Sequence, residues 1–255
     1  MDKKKIKRAI IKIPFAVSVY KILRSAYHFP GFLLEYLRFS HQGGAERFGG
    51  FSRMLPLLQD KTSTTPFEPH YTYHPAWAAR ILVERGVEEH VDIASTLQFC
   101  AIVSAFMPVK FYDYRPAQLR LNNLTSKHAD LTDLDFETDS VSSLSCMHTV
   151  EHIGLGRYGD PIDALGDRKA AAELSRVLAP EGTFIFVTPV GKPKAVFNAH
   201  RIYSFEQVMD LFPDLKLLEF SLVPDDFKKF GLIRNADPEL VKDQEWGCGC
   251  FLFTK

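Results

Sequence analysis

Residues 140–191 read SVSSLSCMHTVEHIGLGRYGDPIDALGDRKAAAELSRVLAPEGTFIFVTPVG, and the fold is decided here. The apolar run from Val141 to Cys146 predicts a short strand. A polar loop rich in His, Gly and Asp follows. Ala170 to Leu178 is a strong helix former, with Ala170, Leu174, Val177 and Leu178 on one face. Pro180 and Gly182 are expected to stop that helix. Thr183 to Val187 are β-branched or aromatic and suit a buried strand. Strand, crossover helix and strand at this spacing predict a right-handed parallel unit. Chemistry in such units sits outside the carboxyl ends of the strands. Those ends carry His148, Glu151 and His152, and then Thr188, Pro189 and Val190.

Working upstream, residues 89–93 predict the first strand of the same domain. In a nucleotide-binding α/β domain this strand leads into a tight turn that the cofactor approaches closely. The turn here is Asp92-Ile93-Ala94-Ser95-Thr96, with an acid and small residues but no glycine. A positive-φ turn is harder to make without glycine. Thr96 is expected to cap a helix over 97–106. Residues 109–112 predict the second strand, ending at Asp113, 21 positions after Asp92. A carboxylate there can accept hydrogen bonds from both hydroxyls of a ribose. Residues 124–129 predict a third strand, followed by Asp130-Leu131-Thr132.

Downstream, Ser204 with Gln207 three positions later forms a capping box ahead of a helix. Asn198, His200 and Arg201 fall on the loop side of the sheet, facing an anionic or sugar acceptor or tying the loop to the Asp-rich segment. Residues 215–222 and 248–253 predict two further strands. Between them, residues 225–244 are polar and are expected to form a mobile lid or an insert.

The 255 residues suit one α/β domain with an extension. Lys+Arg and Asp+Glu both number 31, so nothing in the balance calls for nucleic acid. The charge is uneven, however. The first 40 residues hold nine Lys/Arg (Lys3, Lys4, Lys5, Lys7, Arg8, Lys12, Lys21, Arg24, Arg38) against two acids, interleaved with apolar residues. That pattern fits a basic amphipathic helix on an anionic membrane, or a helix docked on the domain. Pro14 is expected to kink or restart it. The Gly-rich loop HQGGAERFGGF (residues 41–51) lacks a following Gly-Lys-Ser/Thr and reads as a connection. His70, Tyr71, Tyr73 and His74 sit in a Pro-rich irregular stretch ahead of a helix ended by Gly86, lining a pocket mouth or packing the loop down. Cys100, Cys146, Cys248 and Cys250 show no C-x-x-C spacing and read as reduced thiols of a cytoplasmic protein.

The run ending in EHI, then ELSRVLAPEGTFIF and TP, resembles the C-terminal half of the type-11 class of S-adenosylmethionine-dependent methyltransferases. The longer MHTVEHIGLGRYGDPIDALGD, with FNAHRIY after it, is similar to a narrower bacterial and nematode family of unknown function, close to those methyltransferases and associated with surface-polysaccharide genes. The likeness covers Glu88 to Lys255. It implies a doubly wound, seven-stranded α/β sheet of the Rossmann-like class I methyltransferase type over 88–255, with the last strand antiparallel beside the fifth. Residues 1–87 become a basic helical extension and linker.

The resemblance also implies S-adenosylmethionine as cofactor. The residues it assigns to cofactor binding are Asp92, Ala94, Ser95, Asp113, Asp130, Leu131 and Met147, with Asp113 on the ribose, Asp130 on the adenine amino group and Leu131 against the ring. His148 would face the methyl sulfonium, and His148 and His200 are the catalytic candidates. A near-neutral imidazole suits removal of a hydroxyl proton. The acceptor would be an oxygen or nitrogen nucleophile on a small molecule or glycan, met in the cytoplasm or at the inner face of the membrane.

Two other readings compete. His148-Thr149-Val150-Glu151-His152 has the form H-x-x-E-H, a zinc-hydrolase pattern that needs both histidines on one helix. Asp160 and Asp163, with Asp167, are candidate ligands for a divalent cation. The missing glycines are also compatible with a non-catalytic binding or assembly protein of the same fold.

Overall fold

The computed structural model of the protein describes residues 14–44, 46–50 and 54–255. Contacts divide the chain into two compact units, Met1–Pro66 and Phe67–Lys255. In the first, helix α1 spans Pro14–His41. Within that unit Gln59 Nε2 donates to Ser25 Oγ (3.2 Å), and Lys61 pairs with Glu35. The basic residues Lys3 to Lys12 lie outside the described residues. Among the described residues, no helix is long and apolar enough to cross a membrane.

The second unit begins with α2 (Pro69–Glu84), so its contacts start some twenty residues before the boundary read at 87/88. The stretch read as irregular is helical from Pro69, because Glu68 caps it by accepting from the Tyr71 amide (2.6 Å) and Pro69 occupies the first turn. The order continues β1 (His90–Ile93), α3 (Leu97–Val103), β2 (Val109–Asp113), β3 (Leu124–His128) and β4 (Val141–Met147). Then come α4 (Gly166–Val177), β5 (Leu178–Val190), β6 (Lys194–Val196), β7 (His200–Ile202) and α5 (Phe205–Leu211). β8 (Lys216–Val223), α6 (Phe227–Phe230) and β9 (Gly247–Thr254) complete it.

Seven strands form one sheet in the order β3-β2-β1-β4-β5-β9-β8. β1 to β5 pair in parallel, and β9 runs antiparallel between β5 and β8. The order reverses between β1 and β4, which opens a crevice at their carboxyl ends. Strand periodicity explains why β5 reads as continuous hydrophobicity. Phe184 and Phe186 join the core against α4 and α5, while Ile185 and Val187 join the core against α2 and α3. Both faces are covered.

Several local expectations shift. α4 starts at Gly166 rather than Ala170. Pro180 and Gly182 lie inside β5, where the pairing jumps from Val141–Leu178 to Ser143–Thr183 and the intervening residues bulge. α3 stops at Val103, and Thr96 occupies its cap position without a side-chain cap bond. The capping box at Ser204 and Gln207 forms as read. Residues 225–244 are tied down rather than free. Asp225 accepts from the Glu245 and Trp246 amides, Ile233 bridges to Leu222, and Val241 is buried.

Candidate functional site

The crevice is shaped by two left-handed residues. Ala94, directly after β1, has φ +56°, and His148, directly after β4, has φ +57°. The turn without glycine is therefore made by alanine. It is held from below by Asp92, whose Oδ1 accepts from the Ser95 amide (3.0 Å) and whose Oδ2 accepts from Ser145 Oγ. Ser95 Oγ in turn accepts from the Met147 amide (3.0 Å). Thr149 Oγ1 donates to the Ala94 carbonyl (2.7 Å) and joins the two turns.

A cavity opens above them, lined by Ala94, Asp113, Ala129, Asp130, Leu131 and Thr149. Asp113 stands at the tip of β2. Its Oδ1 accepts from the Arg115 amide (2.7 Å), and its Oδ2 has no protein partner among the described residues. Asp130 Oδ1 accepts from the Thr132 amide (2.8 Å) and hydroxyl (2.7 Å), which fixes the carboxylate beside buried Leu131. The 154–166 loop borders the same cavity through Tyr158, Asp160 and Pro161. Tyr158 places its ring under the guanidinium groups of Arg115 (4.6 Å) and Arg157 (5.0 Å). This links the loop to the segment after β2.

Of the seven residues read as cofactor-binding, Ala94, Asp113, Asp130 and Leu131 line this cavity, while Asp92, Ser95 and Met147 do not. Asp92 is fully buried under the turn, where burial pushes its carboxyl up to about 6. Ser95 and Met147 are also buried beneath it. Their work is to hold the turn, a role that spacing alone could not separate from direct contact.

Asp160 and Asp163 border the cavity, but loop bonds engage their oxygens. Asp160 accepts from the amides of Gly154 (2.8 Å), Gly156 (3.3 Å) and Tyr158 (3.1 Å). Asp163 accepts from the Leu165 amide (2.9 Å) and from Lys169 Nζ (2.6 Å). The pair staples the loop, and Asp167 accepts from the Tyr203 hydroxyl (3.0 Å). None of the three belongs to a metal-competent cluster among the described residues.

The H-x-x-E-H stretch does not form the zinc-hydrolase arrangement. Only Val150–His152 is helical, as a single 3-10 turn. His148 Nδ1 is 2.9 Å from Glu151 Oε1, and His152 Nδ1 is 2.5 Å from the Ala199 carbonyl. Both ring nitrogens of His148 are engaged, since Nε2 faces Cys248 Sγ at 3.5 Å. His148 borders the cavity without presenting a free nitrogen to it. Burial holds its pKa well below the ordinary value and pushes the Glu151 carboxyl up to about 7. His200 lies outside the cavity, its ring 4.3 Å from Trp246.

Sequence reasoning missed the company His148 keeps. His70 stacks on it (5.4 Å between centroids), and His74 meets it edge to face (5.0 Å). The available signal was the four-residue spacing of His70 and His74, which puts both on one helix face.

Residues 110–220 match the family described as Caenorhabditis protein of unknown function, DUF268. No curated protein sequence matches the chain. Among solved structures it is similar to the N-methyltransferase NodS from Bradyrhizobium japonicum in complex with S-adenosyl-L-homocysteine, at 14% identity over 80% of this chain and 93% of that one, with a TM-score of 0.50. It is also similar to a protein assigned as a sarcosine dimethylglycine methyltransferase from Galdieria sulphuraria (15% identity, 71% and 84% covered, TM-score 0.51). A third is the protein assigned as a methyltransferase in the complex with the Haloferax volcanii Trm112 activator (17% identity, 72% and 89% covered, TM-score 0.50). The fold is that of the class I methyltransferases.

Proposed function

We propose that the protein transfers a methyl group from S-adenosylmethionine to an oxygen or nitrogen nucleophile. The observation that carries this reading is Asp113. It ends β2, the neighbour of β1 on the side away from the reversal, lines the cavity, and keeps one carboxylate oxygen without a protein partner among the described residues. Two ribose hydroxyls would satisfy that oxygen and its neighbour. Asp130 and Leu131 stand where an adenine would be held by its amino group and its face. The left-handed Ala94 turn, with only a methyl side chain, lets a cofactor approach the backbone.

The cofactor carries its own leaving group, so the protein supplies orientation and exclusion of water. His148 is withdrawn from the role of general base, because Glu151 and Cys248 occupy its nitrogens. An amine acceptor in its neutral form needs no base for the transfer. A carbohydrate-related acceptor, and contact of residues 1–40 with anionic lipid, rest on the sequence alone. Cosedimentation of the full chain with liposomes containing anionic lipid, compared with a chain lacking residues 1–40, tests the second. Equal partitioning would remove it.

Titration calorimetry with S-adenosylhomocysteine tests the main reading. Wild type is expected to bind, and Asp113→Ala about tenfold or more weaker, the worth of a charge-assisted hydrogen bond. No heat with millimolar ligand would end the assignment.

A further inference from the structure

Beneath the wall that His148 contributes to the cavity lies a cluster of ligand-type side chains that methyl transfer does not use. His70 comes from the first turn of α2, His148 from the end of β4 and Cys248 from β9. All three are buried, and one ligand atom from each lies within 4.8 Å of the others. No second group of this kind occurs among the described residues. We propose that His70, His148 and Cys248 bind one zinc-type divalent cation.

Geometry supports this first. Zinc takes imidazole nitrogen at about 2.0–2.1 Å and thiolate sulfur at about 2.3 Å, so a tetrahedral N–S edge spans about 3.6 Å. His148 Nε2 and Cys248 Sγ are 3.5 Å apart. His70 lies within 4.8 Å of both and needs to close by about 1.5 Å at most to complete a tetrahedral face.

The outer hydrogen bonds are those a ligating histidine uses. His148 Nδ1 donates to the Glu151 carboxylate, which leaves the Nε2 lone pair toward Cys248. A carboxylate behind a histidine in this way raises the ligand's basicity and fixes its tautomer. The Trp246 carbonyl lies 3.1 Å from His70 Nε2, which assigns the proton to that nitrogen and leaves Nδ1 unprotonated. His74 packs beside the group without joining it. Its Nδ1 is 2.7 Å from the His70 carbonyl, and its Nε2 is buried with no hydrogen-bond partner among the described residues. That nitrogen lies outside the ligand group, although the His74 ring packs edge to face on His148.

The donor set selects the ion. One thiolate and two imidazoles suit zinc and disfavour calcium or magnesium, which take oxygen. Binding releases the Cys248 thiol proton to solvent, and both histidines bind as neutral rings. One divalent cation and one thiolate leave a single positive charge, which the adjacent Glu151 carboxylate balances. Three protein ligands leave a fourth position open.

The experiment uses the purified full chain, stripped with a chelator and retitrated with zinc alone against a chromophoric competitor, without nucleoside. Cobalt(II) replaces zinc in a parallel sample. Expected are one equivalent of zinc, a cobalt spectrum with tetrahedral ligand-field bands and a thiolate charge-transfer band, and at least a hundredfold loss of zinc affinity in Cys248→Ser and His70→Gln. Cys250→Ser, whose sulfur lies 3.9 Å from that of Cys248, should keep the affinity. Substoichiometric zinc with no charge-transfer band in wild type would overturn the proposal whether or not the variants fold. Unchanged affinity in both folded variants would do the same. Because nucleoside binding is read separately by calorimetry, failure of one assignment is distinguishable from failure of the other.

Discussion

Thr149 Oγ1 donates to the carbonyl oxygen of Ala94 across 2.7 Å, and this bond couples the turn after β4 to the turn after β1. Both turns pass through left-handed backbone at non-glycine residues. Left-handed φ costs an L-residue about 1–2 kcal/mol, more for a branched side chain. Ala94→Gly is therefore expected to leave stability unchanged or raise it by up to about 1 kcal/mol, since relief of strain outweighs the added chain entropy. Ala94→Val should cost about 2 kcal/mol or more and weaken S-adenosylhomocysteine binding with it. Chemical denaturation of the two variants checks the order. A valine variant as stable as the glycine variant would show that the turn carries no strain.

Under the same turn, Ser145 Oγ contacts both Asp92 Oδ2 and His90 Nε2, the latter at 2.8 Å. Burial pushes Asp92 up to about 6 and His90 down to about 3. The two act in opposite directions as pH falls. Below its ordinary value of 6.5, His90 is protonated in the unfolded chain but not in the folded one, so its stability contribution drains away toward pH 3. Asp92 takes up its proton near pH 6 in the folded chain but only near 3.8 in the unfolded one, so its contribution rises across that interval. Asp92→Asn removes the gain. Relative to wild type, the variant is expected to lose about 1 kcal/mol more between pH 7.5 and pH 5. Parallel pH profiles in urea denaturation would remove the assignment.

Tyr158 holds the 154–166 loop to the segment after β2 by stacking with Arg115, while Arg157 of the loop itself stacks on the same ring. Exposed cation–π contacts contribute about 0.5–1 kcal/mol each. Tyr158→Ala should weaken S-adenosylhomocysteine binding about three- to tenfold with little change in melting temperature. Calorimetry and thermal melts separate the two readouts, and an unaltered dissociation constant would rule out the loop as a roof.

Arg234 clamps residues 225–244 to the rest of the second unit. It pairs with Glu84 of α2 (2.8 Å) and with Glu219 of β8 (2.6 Å), whose side chain is 9% exposed. Arg234→Ala would leave Glu219 shielded from water and without its cation, bonded only to Trp77 Nε1 and Ser221. The expected cost is about 2 kcal/mol. Double substitution with Glu219→Gln should recover much of it, because the uncompensated charge is gone. No recovery in the double variant would locate the loss elsewhere.

The strand-helix-strand unit at 140–191 and the capping box at Ser204 were legible because they rest on local pattern. Periodicity of 2 or 3.6 and cap chemistry act over a few residues. Asp113 was singled out through its spacing from the first strand, and it lines the cavity. The bulge around Pro180 was not, because a proline and a glycine read locally as a stop, whereas pairing with β4 carries the strand through them. The helix at Pro69 was masked by polar and proline-rich composition, although Glu68 and Pro69 are themselves a start signal.

Chain order alone specified the seven strands of the main sheet and a carboxylate at the tip of the second strand, whereas the reversal between β1 and β4 came from strand pairing. The meeting of His70, His148 and Cys248 was settled by packing. Cys248 and His148 are 100 positions apart, and they touch because β9 inserts antiparallel beside β5 while α2 lies across the same face of the sheet. Local chemistry sets what each segment becomes. Which distant side chains share a buried space follows from strand order and layer packing, and those depend on the whole chain closing its core at once.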